Sequence, residues 1–259
     1  MRRRIRTVWA KASVAIATIA IGLGLAADPA EAQIPDEFTN LQVLPEDIGP
    51  RQILGYMRAF SQGLGVRCTY CHVGEEGQPF SEMDFASDDI EAKRKARFML
   101  EMTQTLNGDV LPGITEVASR VDPPAQVQCV TCHRGVAVPR QIGDEISIAA
   151  ADGGADAAVA RYRELREEYY GSGSYDFGEQ PMIETGSSLA ESDPDAALAM
   201  FRLALEFYPE SVQAWVGQAQ VHLARDETDE ARAALVRAQE LAPDNPQIRR
   251  MLQQLDGGS

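Results

Sequence analysis

Histidine and cysteine are scarce in this chain, and several motifs that mark enzymes are missing. The 259 residues include only three histidines and four cysteines. No Gly-rich phosphate loop, nucleotide-binding fingerprint or catalytic triad pattern occurs. The apolar run from Val14 to Ala27 is shorter than the roughly 20 residues that a membrane-spanning helix prefers. These absences argue against nucleotide-dependent and triad-based chemistry, so we do not expect an enzyme.

Basic residues are also fewer than acidic ones. The chain has 24 basic and 39 acidic residues, which gives a net charge of −15. A surface of this kind repels nucleic acid and anionic lipid, so nucleic acid is not an expected partner. It favours a protein partner that carries a basic docking patch.

One motif occurs twice and uses all four cysteines and two of the three histidines. Its copies are Cys68-Thr69-Tyr70-Cys71-His72 and Cys129-Val130-Thr131-Cys132-His133. Cys-x-x-Cys-His is the attachment motif of c-type haem. The two-residue spacing lets both thiols reach one edge of the porphyrin, and the adjacent imidazole then lies beneath the iron as a ligand. The sequence therefore predicts two covalently bound haem c groups. Their thioether residues are Cys68, Cys71, Cys129 and Cys132, and their first iron ligands are His72 and His133.

Three other uses of the cysteines are weaker. A redox dithiol or half of a zinc site can contain Cys-x-x-Cys. A dithiol does not require the histidine that follows, however, and zinc spacing would not repeat the five-residue motif twice. Two structural disulfides are the third alternative.

The N-terminus carries an export signal. Basic residues from Arg2 to Lys11 precede the apolar run, and Ala30-Glu31-Ala32 forms a small-x-small cleavage site. This order is typical of a secretory signal peptide over residues 1–32, and an uncleaved membrane anchor is the alternative. Because haem is attached to this motif outside the bacterial cytoplasm, we expect a periplasmic or otherwise exported protein.

The sixth iron ligand cannot be histidine at both haems, since only His222 remains. His222 falls at a packing position of the repeats described below, so we expect it to be an ordinary repeat residue. A methionine thioether suits an electron-transfer haem. Met57 lies on the apolar face of a predicted helix that ends at Gly63 and Gly65, just before the first motif. The apolar face consists of Ile53, Met57, Phe60 and Leu64.

A second predicted helix begins at Ser87 as N-cap, runs to about Leu106 and stops at Gly108. It carries Met99 and Met102, one turn apart, and either could ligate the second haem. Met83 lies in a loop and is a weaker candidate.

The C-terminal half contains an internal repeat. Ala197, Phe201, Ala204 and Pro209 recur as Ala231, Leu235, Ala238 and Pro243, each after 34 residues. This pattern resembles tetratricopeptide repeats. Since two repeats are fewer than usually fold alone, we expect them to pack against a helix over 156–169 or against the haem domain. They could bind a partner or be a structural appendage.

The N-terminal half resembles the cytochrome subunit family of photosynthetic reaction centres, over roughly residues 39–140. Four segments carry the resemblance: Asn40-Leu41-Gln42-Val43-Leu44, Leu64-Gly65-Val66-Arg67-Cys68, Arg97-Phe98-Met99-Leu100-Glu101-Met102-Thr103 and Cys132-His133-Arg134-Gly135. The resemblance implies that Met57 completes the first haem with His72 and that Met99 completes the second with His133. Met102 matches a position near that ligand which does not itself bind the iron in the family. The photosynthetic members typically carry four haems, whereas this chain has motifs for two and adds repeats.

The predicted fold is mainly α: a small dihaem c-type cytochrome domain followed by a tetratricopeptide-repeat helical hairpin unit. We expect a signal peptide at 1–32, the cytochrome domain at 33–145, a helical linker at 146–178 and the repeats at 179–259. The predicted function is periplasmic electron transfer, with a redox protein or a membrane-bound electron-transfer complex as the expected partner. A dihaem enzyme such as a peroxidase, or a haem-based redox sensor or scaffold, is the alternative.

Overall fold

The computed structural model describes residues 37–113 and 125–257, and this part of the chain is helical. Its only β pairing is an isolated antiparallel bridge between Val73 and Asp84. The helices are α1 (Pro50–Leu64), α2 (Glu91–Thr105), α3 (Cys129–His133), α4 (Ile142–Tyr169), α5 (Glu179–Leu189), α6 (Pro194–Phe207), α7 (Val212–Ala224), α8 (Thr228–Leu241) and α9 (Pro246–Gly257). The prediction of a mainly α fold is confirmed. The predicted signal peptide lies outside the described residues, within which no helix has the length and apolar character to cross a membrane.

Helix α1 has the position and the apolar face that the sequence predicts. Pro50 opens it, where a missing N–H costs nothing, and the Gln52 side chain accepts a hydrogen bond from the Gly49 N–H at 3.1 Å. Gly65 ends the helix in the left-handed conformation, with φ of 68°. This stop turns the chain directly into the first Cys-x-x-Cys-His motif.

Helix α2 begins later than predicted and ends at Thr105, next to the predicted end at about Leu106. It starts at Glu91 rather than after Ser87, because the Ser87 hydroxyl accepts from the Asp89 N–H and closes a local turn instead of capping the helix. Gly108 does not stop it either. The helix passes into a wider π turn at Leu106–Val110 and a last turn at Leu111–Gly113.

Helix α4 joins the two halves of the chain. It contains the helix predicted over 156–169 and is kinked at Gly153 and Gly154, where the backbone leaves the helical region. It also runs through the boundary predicted at residue 145. A turn after α4 contains Gly171 and Gly173, both with positive φ.

Helices α5 to α9 form the repeat unit. Asp193 caps α6 and Ser211 caps α7, each accepting from a backbone N–H three residues on. The Phe201 ring packs where Gly186 and Gly217 leave no side chain in its way. Helix α4 shares this core, because Tyr162 and Leu165 are buried in the same cluster as Phe201. The expectation that the repeats pack against this helix is therefore confirmed.

His222 has the structural role expected of it. It is buried in α7, and its Nδ1 atom lies 2.6 Å from a carboxylate oxygen of Glu227. Arg225 pairs with the other oxygen of Glu227 at 3.1 Å. This cluster fixes the turn between α7 and α8.

Candidate functional site

Each Cys-x-x-Cys-His motif forms one tight turn. The first follows α1, and the Cys68 carbonyl accepts from the N–H groups of Cys71 (3.1 Å) and His72 (2.9 Å). The second is the short helix α3. None of the four cysteines is in a disulfide. Each turn carries two free thiols and one imidazole within five residues, the groups that covalent attachment of a porphyrin uses.

The first motif opens onto an apolar cavity of about 430 Å³. Cys68, Cys71 and His72 form part of its wall, and Met57 and Leu64 of α1 form another part. Leu100 of α2 closes it further. The structure thus brings Met57 to the same cavity as the predicted thioether residues and the predicted histidine ligand.

Met83 also lines this cavity, although its place in a loop gave little sign of this in the sequence. Its side chain is buried and packs against Gly74, two residues after His72. The Phe85 ring stands edge-on to the His72 ring, with 5.0 Å between their centroids. Met83 and Phe85 therefore flank the motif itself, whereas Met57 comes from a separate helix.

A buried ammonium supports the wall beside His72. The Nζ atom of Lys93 donates to the carbonyls of Phe85, Ala86 and Ser87 at 2.8, 2.9 and 2.6 Å. Lys93 is only 9% exposed. Since hydrogen bonds from a charged donor are strong, this one side chain fixes the loop that carries Phe85.

Two of the three cationic side chains at this cavity, Lys93 and Arg97, are tied to Asp88. Arg97 lies 2.8 Å and Lys93 3.3 Å from one oxygen of its carboxylate. The hydrogen bond from Arg97, followed by one from Asn40, holds the pKa of Asp88 far below its usual value. The carboxylate therefore stays ionised and keeps both cations in place beside the cavity.

The segment before α1 lies over this cavity, and Asn40 anchors it. The Asn40 side-chain amide donates to the Ala86 carbonyl at 2.5 Å, and Arg97 donates to the Asn40 carbonyl at 3.3 Å. Asn40 has a positive φ of 69°, a conformation that asparagine tolerates better than most residues. The segment 40–44, which carried part of the family resemblance, therefore closes the first cavity.

The protonation of the first motif suits haem attachment better than thiol redox chemistry. Burial, and then the neighbouring Cys68, raises the pKa of Cys71, whereas a redox-active dithiol needs a lowered pKa. Burial and then Lys93 lower the pKa of His72, against the opposing influence of the Phe85 carbonyl. The imidazole is thus kept neutral, the form that ligates iron. No partner among the described residues meets hydrogen-bond geometry at its buried Nδ1 atom.

Zinc fits the donor arrangement poorly. Within residues 37–113 and 125–257, no group of three or more His, Cys, Asp or Glu side chains converges where it could hold a metal ion. Structural zinc needs four such ligands in a tetrahedron. The two motifs supply two thiols and one imidazole each, spread along a turn, which is the donor set of covalent haem.

Hydrogen bonds fix the second motif just before its first cysteine and at its histidine. Before it, Asn107 in the π turn forms two hydrogen bonds with the backbone of Val127, at 2.8 and 2.7 Å. Within it, His133 Nδ1 lies 3.0 Å from the Val136 carbonyl. A neutral ring must donate from Nδ1 to that carbonyl, which leaves Nε2 free to bind iron. This contact therefore suits His133 as a proximal ligand.

Met99 and Met102 are each about two-fifths exposed, at 40% and 39%. They lie on other faces of α2 than Leu100, which faces the first cavity. Other exposed apolar residues are Phe98 of α2, Val110 of the π turn and Val130 of the second motif. The structure thus keeps both methionines away from the first cavity and exposes them on α2 together with Phe98. Residues 114–124, which join α2 to the second motif, lie outside the described residues.

The second motif contacts the end of α1, directly before the first motif. The Gly135 N–H donates to the Gly63 carbonyl at 2.8 Å. A Cβ atom at Gly63 would lie 2.8 Å from the Cβ of Cys129, so only glycine fits there. Gly63 is five residues before Cys68 and Gly135 two after His133. Both turns are therefore fixed against the same end of one helix.

The fold and the site together define a helical protein with two adjacent haem-attachment motifs and a C-terminal repeat unit. A model of the family described as photosynthetic reaction centre cytochrome C subunit matches residues 26–164. This is more than half of the chain, which belongs to that family. A tetratricopeptide repeat model matches residues 188–255. Both resemblances seen in the sequence are confirmed.

Three curated relatives are photosynthetic reaction center cytochrome c subunits. The protein of Rubrivivax gelatinosus is 35% identical over 33% of this chain and 23% of its own length. The protein of Thermochromatium tepidum is 31% identical over 44% of this chain and 25% of its own length. The protein of Roseobacter denitrificans is 32% identical over 41% of this chain and 26% of its own length. The chain thus spans about a quarter of the length of these relatives.

One solved structure resembles the chain only loosely. It is the C-terminal tetratricopeptide-containing domain of an FK506-binding protein of Plasmodium falciparum, with 18% identity and a TM-score of 0.29. The match covers 45% of this chain and 85% of that domain. A score this low carries no argument about fold or function.

Proposed function

We propose that the protein is a periplasmic dihaem c-type cytochrome that transfers electrons and does not act as an enzyme. The contact of the second motif and the residues after it with the end of α1, directly before the first motif, carries this proposal; it includes the 2.8 Å hydrogen bond from Gly135 to Gly63. It supports two haems at short distance from each other, as passage of an electron between them requires. Haem, when bound, supplies an iron that cycles between the ferrous and ferric states.

At the first site we assign Cys68 and Cys71 to thioether bonds and His72 and Met57 to the iron. Three observations support the assignment: the shared cavity, the pKa of His72 lowered mainly by burial, and the separate helix that supplies Met57. Met83 packs beside the proximal histidine, so its role is to wall the cavity. Two protein ligands on the iron leave no coordination position for a substrate.

At the second site we assign Cys129 and Cys132 to thioether bonds and His133 and Met99 to the iron, with Met102 as the alternative. The hydrogen bond from His133 to the Val136 carbonyl supports the histidine. The exposed apolar surface of α2 that carries both methionines supports the sixth ligand, because a bound porphyrin would cover apolar surface of this kind.

The partner that fits the chain is a redox protein with a basic docking patch, because the chain carries a net charge of −15. The names of the curated relatives suggest a membrane-bound electron-transfer complex, a photosynthetic reaction centre in their case. Export to the periplasm is supported by the haem motifs, whose loading takes place outside the bacterial cytoplasm.

Carbon monoxide tests the proposal, because it binds a ferrous haem only where a coordination position is open or labile. The protein is matured in the periplasm, reduced, and its optical spectrum recorded with and without carbon monoxide. We expect two haems per chain and no response from either. Met57→Ala should open one haem to carbon monoxide, while the control Met83→Leu should not. A wild-type haem that binds carbon monoxide readily would contradict the electron-carrier function and favour an enzyme or a gas sensor.

A further inference from the structure

A chain of hydrogen bonds joins the turn after α4 to the second motif. The Ser174 hydroxyl donates to the Arg134 carbonyl at 2.6 Å. The Ser172 hydroxyl lies 2.9 Å from that of Ser174 and accepts from the Ser174 N–H at 3.1 Å. Ser174 is 3% exposed, so water does not compete for these bonds. The contact links residues 40 positions apart in sequence and crosses between the two halves of the protein.

Arg134 is the residue directly after the predicted ligand His133. It has a positive φ of 50° and ends α3, with its N–H donating to the Val130 carbonyl at 3.1 Å. Two residues later, Val136 makes two contacts with His133 through its backbone. Its N–H donates to the His133 carbonyl at 3.0 Å, and its own carbonyl lies 3.0 Å from His133 Nδ1. The Arg134 carbonyl therefore belongs to the small backbone loop that orients the imidazole.

Further contacts hold the turn that supplies Ser174. Ser172 also reaches the Tyr169 carbonyl at 2.7 Å, and the rings of Tyr169 and Tyr175 pack edge-on with 5.4 Å between centroids. Both aromatic rings pack against the core that α4 shares with the repeats. The Ser174 hydroxyl is thus fixed by the repeat-bearing half rather than by the cytochrome half.

We propose that Ser174 is a positioning residue for His133, through which the repeat-bearing half fixes the orientation of the proximal ligand of the second haem. The inference rests on the proposed function, because it needs a haem at the second motif. It adds a role that neither the motif nor the repeats assign: the turn after α4 becomes part of the second haem site.

The expected effect follows from the hydrogen bond that His133 donates. Groups behind a metal-bound histidine fix its orientation and raise its basicity. Without the Ser174 hydroxyl, the Arg134 carbonyl loses this partner and the loop from Arg134 to Val136 relaxes. The bond from His133 to Val136 then weakens, and the iron loses electron density. The ferrous form is favoured, so the reduction potential of the second haem rises.

The test compares Ser174→Ala with a matched control, Thr185→Val. Thr185 is also a buried hydroxyl of the repeat-bearing half, and it donates to the Pro181 carbonyl at 2.7 Å. Haem content is measured first. The potentials of both haems are then determined by optical redox titration, and the electron paramagnetic resonance spectrum of the ferric protein reports the orientation of the axial ligands. Ser174→Thr, which keeps the hydroxyl, serves as the rescue variant.

For Ser174→Ala we expect one haem to shift its ratio of reduced to oxidised form by about tenfold at fixed potential, about 59 mV for one electron. The resonance spectrum of that haem alone should change. Thr185→Val should shift neither haem, and Ser174→Thr should restore the wild-type values. If Ser174→Ala fails to load its second haem while Ser174→Thr loads it normally, the positioning role is also supported.

Three results would overturn the inference. The first is two haems with unchanged potentials and resonance spectrum in Ser174→Ala, and the second is an equal shift in Thr185→Val. The third is failure of both Ser174 variants to load the second haem, which would make the contact merely structural. A wild-type protein with fewer than two haems would instead refute the proposed function, so the two failures are distinguishable.

Discussion

Replacing Gly65 by alanine tests the contact between the turn before the first motif and the turn after the second. A Cβ atom there would lie 2.9 Å from the carbonyl carbon of Gly135 and would overlap its oxygen. The Gly135 carbonyl has little room to move away, since the N–H of the same residue is bonded to the Gly63 carbonyl. We therefore expect Gly65→Ala to separate the motifs and to lower both stability and the occupancy of the second haem.

The magnitude follows from two costs, and a second glycine separates them. Gly65 has φ of 68°, and an L side chain in this region costs about 1–2 kcal/mol. Forcing an extra methyl group into a packed contact costs typically about 1–3 kcal/mol more. Gly77 has φ of 82° but nothing within 4 Å of its Cβ position. Gly77→Ala should therefore incur only the cost of the left-handed backbone, whereas Gly65→Ala should incur that cost and the cost of the steric clash.

The assay is urea denaturation of the haem-loaded proteins, followed by circular dichroism and by the haem absorbance. The free energy of unfolding of Gly65→Ala should fall below that of Gly77→Ala by about 1–3 kcal/mol. Haem content should drop for the second site only in Gly65→Ala. Equal stability of the two variants, with both haems retained, would refute the reasoning that these motifs are held together at Gly65.

Further predictions concern the cations of the first site and the ligand of the second. Lys93→Met leaves three carbonyls without their ammonium donor and should lower the free energy of unfolding by about 3 kcal/mol. The control Lys95→Met should change it little in the same denaturation assay, since that side chain is 68% exposed. Because the pKa of Asp88 is lowered on folding, its carboxylate stabilises the fold fully above its ordinary pKa of 3.8. That stabilisation is lost as the pH falls further, so the urea midpoints of wild type and Asp88→Asn should converge in acid; a constant gap would contradict this. Met99→Ala should open the second haem to carbon monoxide in the optical spectrum, and Met102→Ala should not; the reverse result would transfer the ligand to Met102.

The parts of the structure that the sequence predicts well are local or repeated. The i, i+4, i+7 spacing around Met57, together with Gly65 after it, predicts the face and the end of α1, because both depend on residues within a few turns. The 34-residue period predicts the repeat unit for a similar reason: each copy supplies the surface that the next one covers. Both predictions rest on interactions that a short window of sequence contains.

The contacts that complete the two sites were not predictable, because each joins positions far apart in sequence through an unremarkable residue. Met83 lines the first cavity from a loop whose next residues, from Phe85 to Ser87, are bound by Lys93. A lone lysine in a helix gives no sign of three carbonyl partners. Ser174 stands in a Gly/Ser turn that is typical of a linker, yet its hydroxyl ends at the second motif. The prediction of where α2 begins is wrong for a related reason. The Ser87 hydroxyl could cap the helix or close a local turn with the Asp89 N–H, and the structure has the turn. The sequence thus identifies the groups that would hold each haem, whereas the residues that fix those groups in place come from long-range packing.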